Sequence, residues 1–217
     1  MQKIFKIPEV GILIPLIALT IAFSLISDSF LSFNSVAAMA RAMAFVGIIA
    51  VGQTWLMISG ELDLSVGSVA GLCAVVAGWL MKEAGCSIEV GLAGGLMTGA
   101  LAGLVNGFVA VRIGVPGFIA TLGMLYIARG LNYLLCKGYP IYPIPDALNS
   151  FGKAEPWGTS WAFVFFIGVV IIGDFSLRKT VFGRQVLATG GNREVAKIAG
   201  INTDLVKMIC YVLTGML

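Results

Sequence analysis

The sequence predicts an all-α polytopic membrane protein, and three observations carry that prediction. Hydrophobic residues make up 59 % of the 217 positions and charged residues only 12 %, with a mean hydropathy of +0.98. That leaves too little polar surface to clothe a soluble globule of this size. Stretches without a single charge recur at 10–26, 42–58, 64–81, 90–111, 113–128 and 157–173. Each is close to the roughly 17 to 25 residues that a helix needs to cross the hydrocarbon core. Glycines also recur every fourth residue in the fourth stretch, a spacing that has meaning only on a helix. The expectation is about six transmembrane helices and the start of a seventh, in a single membrane domain over 1–217.

The first run follows Lys3 and Lys6, as a secretory leader would. The bulky segment Asp28-Ser29-Phe30-Leu31-Ser32-Phe33 offers no small-residue cleavage site, so a retained span is expected, bent at Pro15. Between runs two and three, Glu61 and Asp63 are costly at bilayer depth, by about 2.5–3.5 kcal/mol for an aspartate. They therefore sit in an interfacial turn or line a polar cavity. One reading makes Gly60 a left-handed C-cap and Asp63 an N-cap accepting from the amides of Ser65 and Val66. The other gives Asp63 and Ser65 a place in a substrate path or gate.

Run four carries Gly91, Gly95, Gly99, Gly103 and Gly107, which stay close to one helix face and admit a neighbouring backbone. That neighbour is another helix of the same subunit or a second subunit. Within the spans, Asn106 and Gln53 suit interhelical hydrogen bonds or substrate contact. Arg129, on span five, either snorkels to the interface or faces the path. From 137 to 156 the prolines Pro140, Pro143 and Pro145 forbid a regular helix and predict an extended, exposed connection that is either a plain connector or a docking surface.

Residues 174–207 gather Arg178, Lys179, Arg184, Arg193, Lys197 and Lys207 between apolar runs. With an inside amino terminus, Lys3, Lys6, Arg112 and these six face the cytoplasm. Only Arg41, Lys82, Lys137 and Lys153 face outward, so the positive-inside bias selects that orientation. Within this loop Asn192 can cap a short helix over 193–199, with Glu194 at its positive end and Gly200 closing it. Val195, Ile198 and Ala199 would form a small apolar face on it, flanked by Arg193 and Lys197. The run from Lys207 to Leu217 ends before it could span the bilayer, which predicts a piece of a longer protein.

The composition also excludes chemistry. There is no histidine, Cys73, Cys86, Cys136 and Cys210 lack metal or disulfide spacing, and no GxxxxGK[ST] phosphate loop is present. No nucleophile and base stand at credible helical spacing. The chain is read as neither an enzyme nor a metal protein, and ATP hydrolysis would need a separate chain.

Four blocks carry a family resemblance: Val51-Gly52-Gln53-Thr54 leading into Gly60-Glu61-Leu62-Asp63-Leu64-Ser65-Val66-Gly67-Ser68; Asn106-Gly107; Pro116-Gly117-Phe118-Ile119-Ala120-Thr121-Leu122-Gly123 with Ala128-Arg129-Gly130; and Gly183-Arg184 with Gly190-Gly191-Asn192 and Ala199-Gly200-Ile201. In that order they resemble the ribose-type ABC importer permeases, with Glu61 standing where that pattern carries isoleucine or valine. The resemblance implies a type II ABC-importer-like permease in the bacterial inner membrane, with a cytoplasmic amino terminus and more spans beyond residue 217. It implies a second permease subunit, alike or different, and a monosaccharide delivered by a periplasmic or extracellular binding protein. It also implies two cytoplasmic ATPase subunits that bind ATP and Mg. The coupling helix would then lie within 174–207, using Gly183, Arg184, Gly190, Gly191, Asn192, Glu194, Ala196, Ala199 and Gly200, and bulky replacements of Gly191 or Ala196 would uncouple uptake from ATP hydrolysis. A basic helix resting on anionic lipid is the plainer alternative for that segment. An ion-coupled secondary transporter with Asp63 as its coupling carboxylate is the alternative for the whole chain.

Overall fold

The computed structural model describes residues 10–154 and 160–217. Lys3 and Lys6, which weigh on the orientation, lie outside the described residues, as do 155–159, which hold the end of the Pro-rich connection and the start of the charge-free run at Trp157. The described residues form ten α-helices and one π-helical segment: α1 Val10–Ile26, α2 Phe33–Ile58, α3 Val66–Lys82, α4 Ile88–Gly107 continued by the π segment Phe108–Ile113, α5 Gly117–Cys136, α6 Asp146–Lys153, α7 Trp161–Lys179, α8 Val181–Gly191, α9 Arg193–Ile198 and α10 Thr203–Met216. Four stretches are long and apolar enough to cross a membrane: α2, α4 with its π segment, α5 and α7. Two shorter apolar helices, within α1 and at α3, accompany them.

Several boundaries depart from the charge-free runs, each for a local reason. Arg41, expected in an outer segment, lies about 12 Å into α2 at 1.5 Å per residue. That helix starts early because Ser32 Oγ accepts from Ser35 N and an alanine-rich turn follows. Span five does not begin at Ile113. Gly114 takes a left-handed φ of +86° and Pro116 restarts the chain as the cap of α5, which then runs through Arg129 to Cys136. The Pro-rich connection is extended only to Pro145, after which α6 forms. Residues 174–207 are helical almost throughout: α7 extends to Lys179, and Thr180 Oγ1 accepts from Gly183 N to start α8.

Two buried clusters hold the helices together. Trp55, Leu56, Val186, Val206, Cys210 and Tyr211 join α2, α8 and α10. Val69, Leu72, Ala102, Met124 and Ala128 join α3, α4 and α5. Large apolar side chains elsewhere, among them Leu92, Leu101, Tyr126 and Phe175, point outward, as a lipid-facing surface requires.

Helix α4 lies between the two clusters. Successive glycines four residues apart advance about 40° around a helix of 3.6 residues per turn, so five of them do not share one face. Gly91 and Gly95 meet α3, where a Cβ at Gly95 would lie 3.0 Å from Cys73 O. By Gly99 and Gly103 the stripe has turned to α10, and side chains there would collide with the carbonyls of Gly215 and Tyr211. Gly107 continues along α10, with a Cβ 3.3 Å from Met208 Cα. The contacts at Gly99 and Gly103 are therefore backbone against backbone.

Candidate functional site

One end of the bundle gathers the turn 59–65, the turn 114–116, α8 and α9. The turn 59–65 leaves α2 through a complete left-handed cap. Gly60 N donates to Met57 O, Glu61 N donates to Leu56 O, and Gly60 has a φ of +85°. The chain can thus reverse and enter α3 without a side-chain cap on Ser65. Asp63 does not cap Val66, as the spacing suggested. Its Oδ1 accepts from Ser65 N at 2.7 Å and from Ser65 Oγ at 2.6 Å, a turn closed two residues on.

The other Asp63 oxygen reaches across the bundle. Asn106 Nδ2 on α4 donates to Asp63 Oδ2 at 3.1 Å and to Ser65 Oγ at 3.0 Å. Asp63, Ser65 and Asn106 are each no more than 2 % exposed, so this arrangement satisfies three buried polar side chains together. The backbone of the same turn is held as well. Gln53 Nε2 on α2 donates to Asp63 O at 2.6 Å, and Leu64 N donates to Thr121 Oγ1 on α5 at 3.0 Å. Four helices therefore converge on a turn of seven residues. Beside it lies a cavity of about 160 Å³ among α2, α3, α4 and α10, lined in part by Asp63, Ser65, Asn106 and Thr214.

Glu61 faces the other way, toward α10. Lys207 Nζ donates to Glu61 Oε1 at 2.7 Å and Tyr211 Oη donates to Glu61 Oε2 at 3.1 Å. Glu61 and Arg193 also line an open cleft of about 770 Å³ bounded by the 114–117 turn.

At the same end, α8 lies tight against its neighbours through glycine. A side chain at Gly183 would collide with the carbonyls of Ser176 and Leu177, and one at Gly190 with Ile58 O. Arg184 is exposed, and a side chain at Gly191 would meet nothing within 4 Å. Asn192 Oδ1 accepts from Val195 N at 3.1 Å to open α9. Gly200, at a φ of +82°, closes it while Ile201 N donates to Ala196 O. Ala196 is buried at 3 % exposure, whereas Val195 and Ile198 stand out at 60 % and 87 %, with Glu194 and Ala199 exposed beside them. Arg193 bonds Asp204 in the first turn of α10 at 2.8 Å, and that hydrogen bond holds the Asp204 carboxyl below its ordinary value of 3.8.

Arg129 stands apart from this site. It is exposed on α5, with Nε donating to Ser68 Oγ at 3.3 Å. Among the described residues, no group of three or more His, Cys, Asp or Glu is placed to hold a metal.

Residues 35–217 match the family described as branched-chain amino acid transport system / permease component. The chain belongs to this permease family. It is 34 % identical over 209 residues to the L-arabinose ABC transporter permease protein AraH of Azospirillum brasilense, covering 95 % of this chain and 60 % of that protein. It is 34 % identical over 208 residues to the L-arabinose transport system permease protein AraH of Escherichia coli, covering 96 % and 63 %. With the autoinducer 2 import system permease protein LsrC of Enterobacter sp. (strain 638) it shares 30 % identity over 217 residues, covering 100 % and 63 %. The permease chain thus spans about three fifths of the length of the curated relatives it matches. No solved structure matches it. It is an inner-membrane permease component.

Three residues that the sequence did not single out as site residues hold this end of the bundle: Thr121, Lys207 and Tyr211. Lys207 had been counted only as a basic charge, yet it is buried, and a lysine inside an apolar run calls for a buried acid. Glu61 is that acid.

Proposed function

We propose that the chain is the membrane-spanning permease of a binding-protein-dependent ABC importer, moving a monosaccharide or a compound of that class into the cell. The observation that carries this reading is α9. It is a short helix, capped at both ends and seated by the buried Ala196, that presents Val195 and Ile198 outward at the basic end of the bundle. Two exposed apolar side chains on a rigid, charged-flanked helix are a docking feature rather than a fold requirement. With no phosphate loop in the sequence, the partner that docks there is a separate ATPase subunit, which binds ATP and Mg. Gly183, Gly190 and Gly200 set the position of α9, and Arg184, Gly191, Asn192, Glu194 and Ala199 border the contact.

In this reading the basic end faces the cytoplasm, and the end carrying Lys82, Lys137 and Tyr139 faces an external sugar-binding protein. A second permease subunit completes the path. Asp63 and Ser65 of the turn and Asn106 of α4 stand at its gate, and Arg129 lies along its wall. The relatives named for L-arabinose and autoinducer 2 import support a sugar-related cargo. The ion-coupled alternative loses ground because both Asp63 oxygens are already engaged by protein donors.

The test uses the full-length permease expressed with its ATPase and binding protein. Burying one large aliphatic side chain contributes about 1.5–3 kcal/mol, so Ile198→Glu is expected to weaken ATPase binding by about tenfold to a hundredfold. ATP-dependent uptake should fall with it. Unchanged co-purification of the ATPase together with unchanged uptake refutes the assignment.

A further inference from the structure

We infer that Glu61, Lys207 and Tyr211 form a latch through which movement of α9 and α10 reaches the polar turn 59–65, so that Glu61 and Lys207 are positioning residues for transport. The inference rests on reading α9 as the ATPase-docking helix.

The route is short and stiff at each step. Only residues 199–202 separate α9 from α10, and Asn202 Oδ1 accepts from Leu205 N to open the second helix. Arg193 and Asp204 staple the two helices at 2.8 Å. A push on α9 therefore moves α10 with it. On α10, Lys207 and Tyr211 are four residues apart and share one face. Both grip the Glu61 side chain, at 2.7 Å and 3.1 Å. Two residues beyond Glu61, Asp63 holds Ser65 and Asn106 beside the 160 Å³ cavity. The amino-terminal end of α5 closes on the same point: a side chain at Gly117 would collide with Glu61 Oε2 and Tyr211 Oη.

The chemistry favours a transmitting role over a merely stabilising one. A buried ion pair gains little over well-packed apolar side chains, because desolvation offsets its Coulomb attraction. Its distinctive property is register, since it holds only in one relative placement of the two elements. The side chains of Lys207 and Glu61 are 9 % and 15 % exposed and pair with each other, while Arg193 is paired with Asp204. Among the described residues, Glu61 is the acid in contact with Lys207. The pair therefore sets where α10 stands against the turn.

The test reconstitutes the full-length permease with its ATPase and binding protein and measures three quantities: ATPase retained on the permease, ATP hydrolysed, and substrate taken up per ATP. In Glu61→Gln and Lys207→Met the retained ATPase should match wild type, while uptake per ATP falls by about twofold to thirtyfold, the range through which residues on a coupling route act. The exchanged pair, Glu61→Lys with Lys207→Glu, should recover most of the loss. Tyr211→Phe, which removes only a hydroxyl, should give a smaller loss of the same kind and serves if the charge variants fail to assemble. Normal uptake per ATP in the assembled variants overturns the latch, including the case where only the yield of complex drops, which would mark the pair as structural. A fall that the exchange does not restore and Tyr211→Phe does not reproduce also overturns it. Loss of the ATPase from wild-type permease would instead strike the functional reading of α9.

Discussion

Replacing Asp63 tests whether the polar turn is built on hydrogen bonds or on a free carboxyl. In Asp63→Ala, Ser65 N loses its acceptor at 2.7 Å, Ser65 Oγ loses one at 2.6 Å, and Asn106 Nδ2 keeps only its 3.0 Å bond to Ser65. An unsatisfied buried group costs about 1–3 kcal/mol, and a hydroxyl can turn to a new acceptor, so the net cost is about 2–5 kcal/mol. Asp63→Asn keeps Oδ1 for both Ser65 bonds but sets one amide NH₂ against another at Asn106, costing about 1–3 kcal/mol. Adding Asn106→Asp should reverse the polarity of the pair and return most of that loss. Thermal unfolding of the purified full-length protein in detergent is expected to rank wild type first, then the double exchange, then Asp63→Asn, with Asp63→Ala last. Equal midpoints for the alanine and asparagine variants, or an alanine variant as stable as wild type, would refute the reasoning.

Two further outcomes follow from the packing and the charges. Gly103→Ala, whose Cβ would meet the carbonyl of Tyr211, should destabilise despite gaining about 1 kcal/mol in helix propensity, whereas Gly67→Ala, with nothing within 4 Å, should be neutral or stabilising. Parallel shifts of the two unfolding midpoints would contradict the backbone contact between α4 and α10. The Asp204 carboxyl is held below its ordinary 3.8 by the hydrogen bond from Arg193, so its contribution is present above about pH 4 and is lost as pH falls through the lowered value. Amide exchange across 193–200, corrected for intrinsic rates, should show protection falling in wild type only as pH is taken progressively below 3.8, and already reduced at pH 6 in Asp204→Asn. Protection that ignores both pH and the substitution would remove the staple between α9 and α10.

Much of the fold was legible because its causes are local. Charge-free runs marked the apolar helices, Gly60 and Gly200 marked left-handed ends, and Asn192 marked a cap, since each depends on a few adjacent residues. The errors arose where charge stood in for structure. Arg41 was placed in an outer segment, yet a helix runs through a charge as long as its side chain finds a polar partner or an interface, as α2 does. The glycine series was read as one face, and the 40° advance per step, which divides it between α3 and α10, was implicit in the same helical geometry. Helix α8 was missed because its apolar side chains alternate with small and polar ones over only 11 residues, too short for a clear period.

The site shows where local reading stops. Asp63 and Ser65 were singled out from their own turn, but Asn106 contacts Asp63 from 43 residues away and Thr121 contacts Leu64 from 57. Lys207 reaches Glu61 across 146 positions. Nothing in a single sequence ties residues so far apart, because the contact exists only after α10 has settled against α4. What the sequence does hold is the anomaly on each side: an acid in a short turn between two apolar helices, and a lysine that starts an apolar run. Either one left alone would be a buried charge without compensation, which costs far more than the pair gains. Each therefore requires a counter-charge somewhere in the fold. With Arg193 committed to Asp204, Lys207 is the base in contact with Glu61. Glu61 is thus one half of a long-range pair, and its effect on the turn must be judged together with α10.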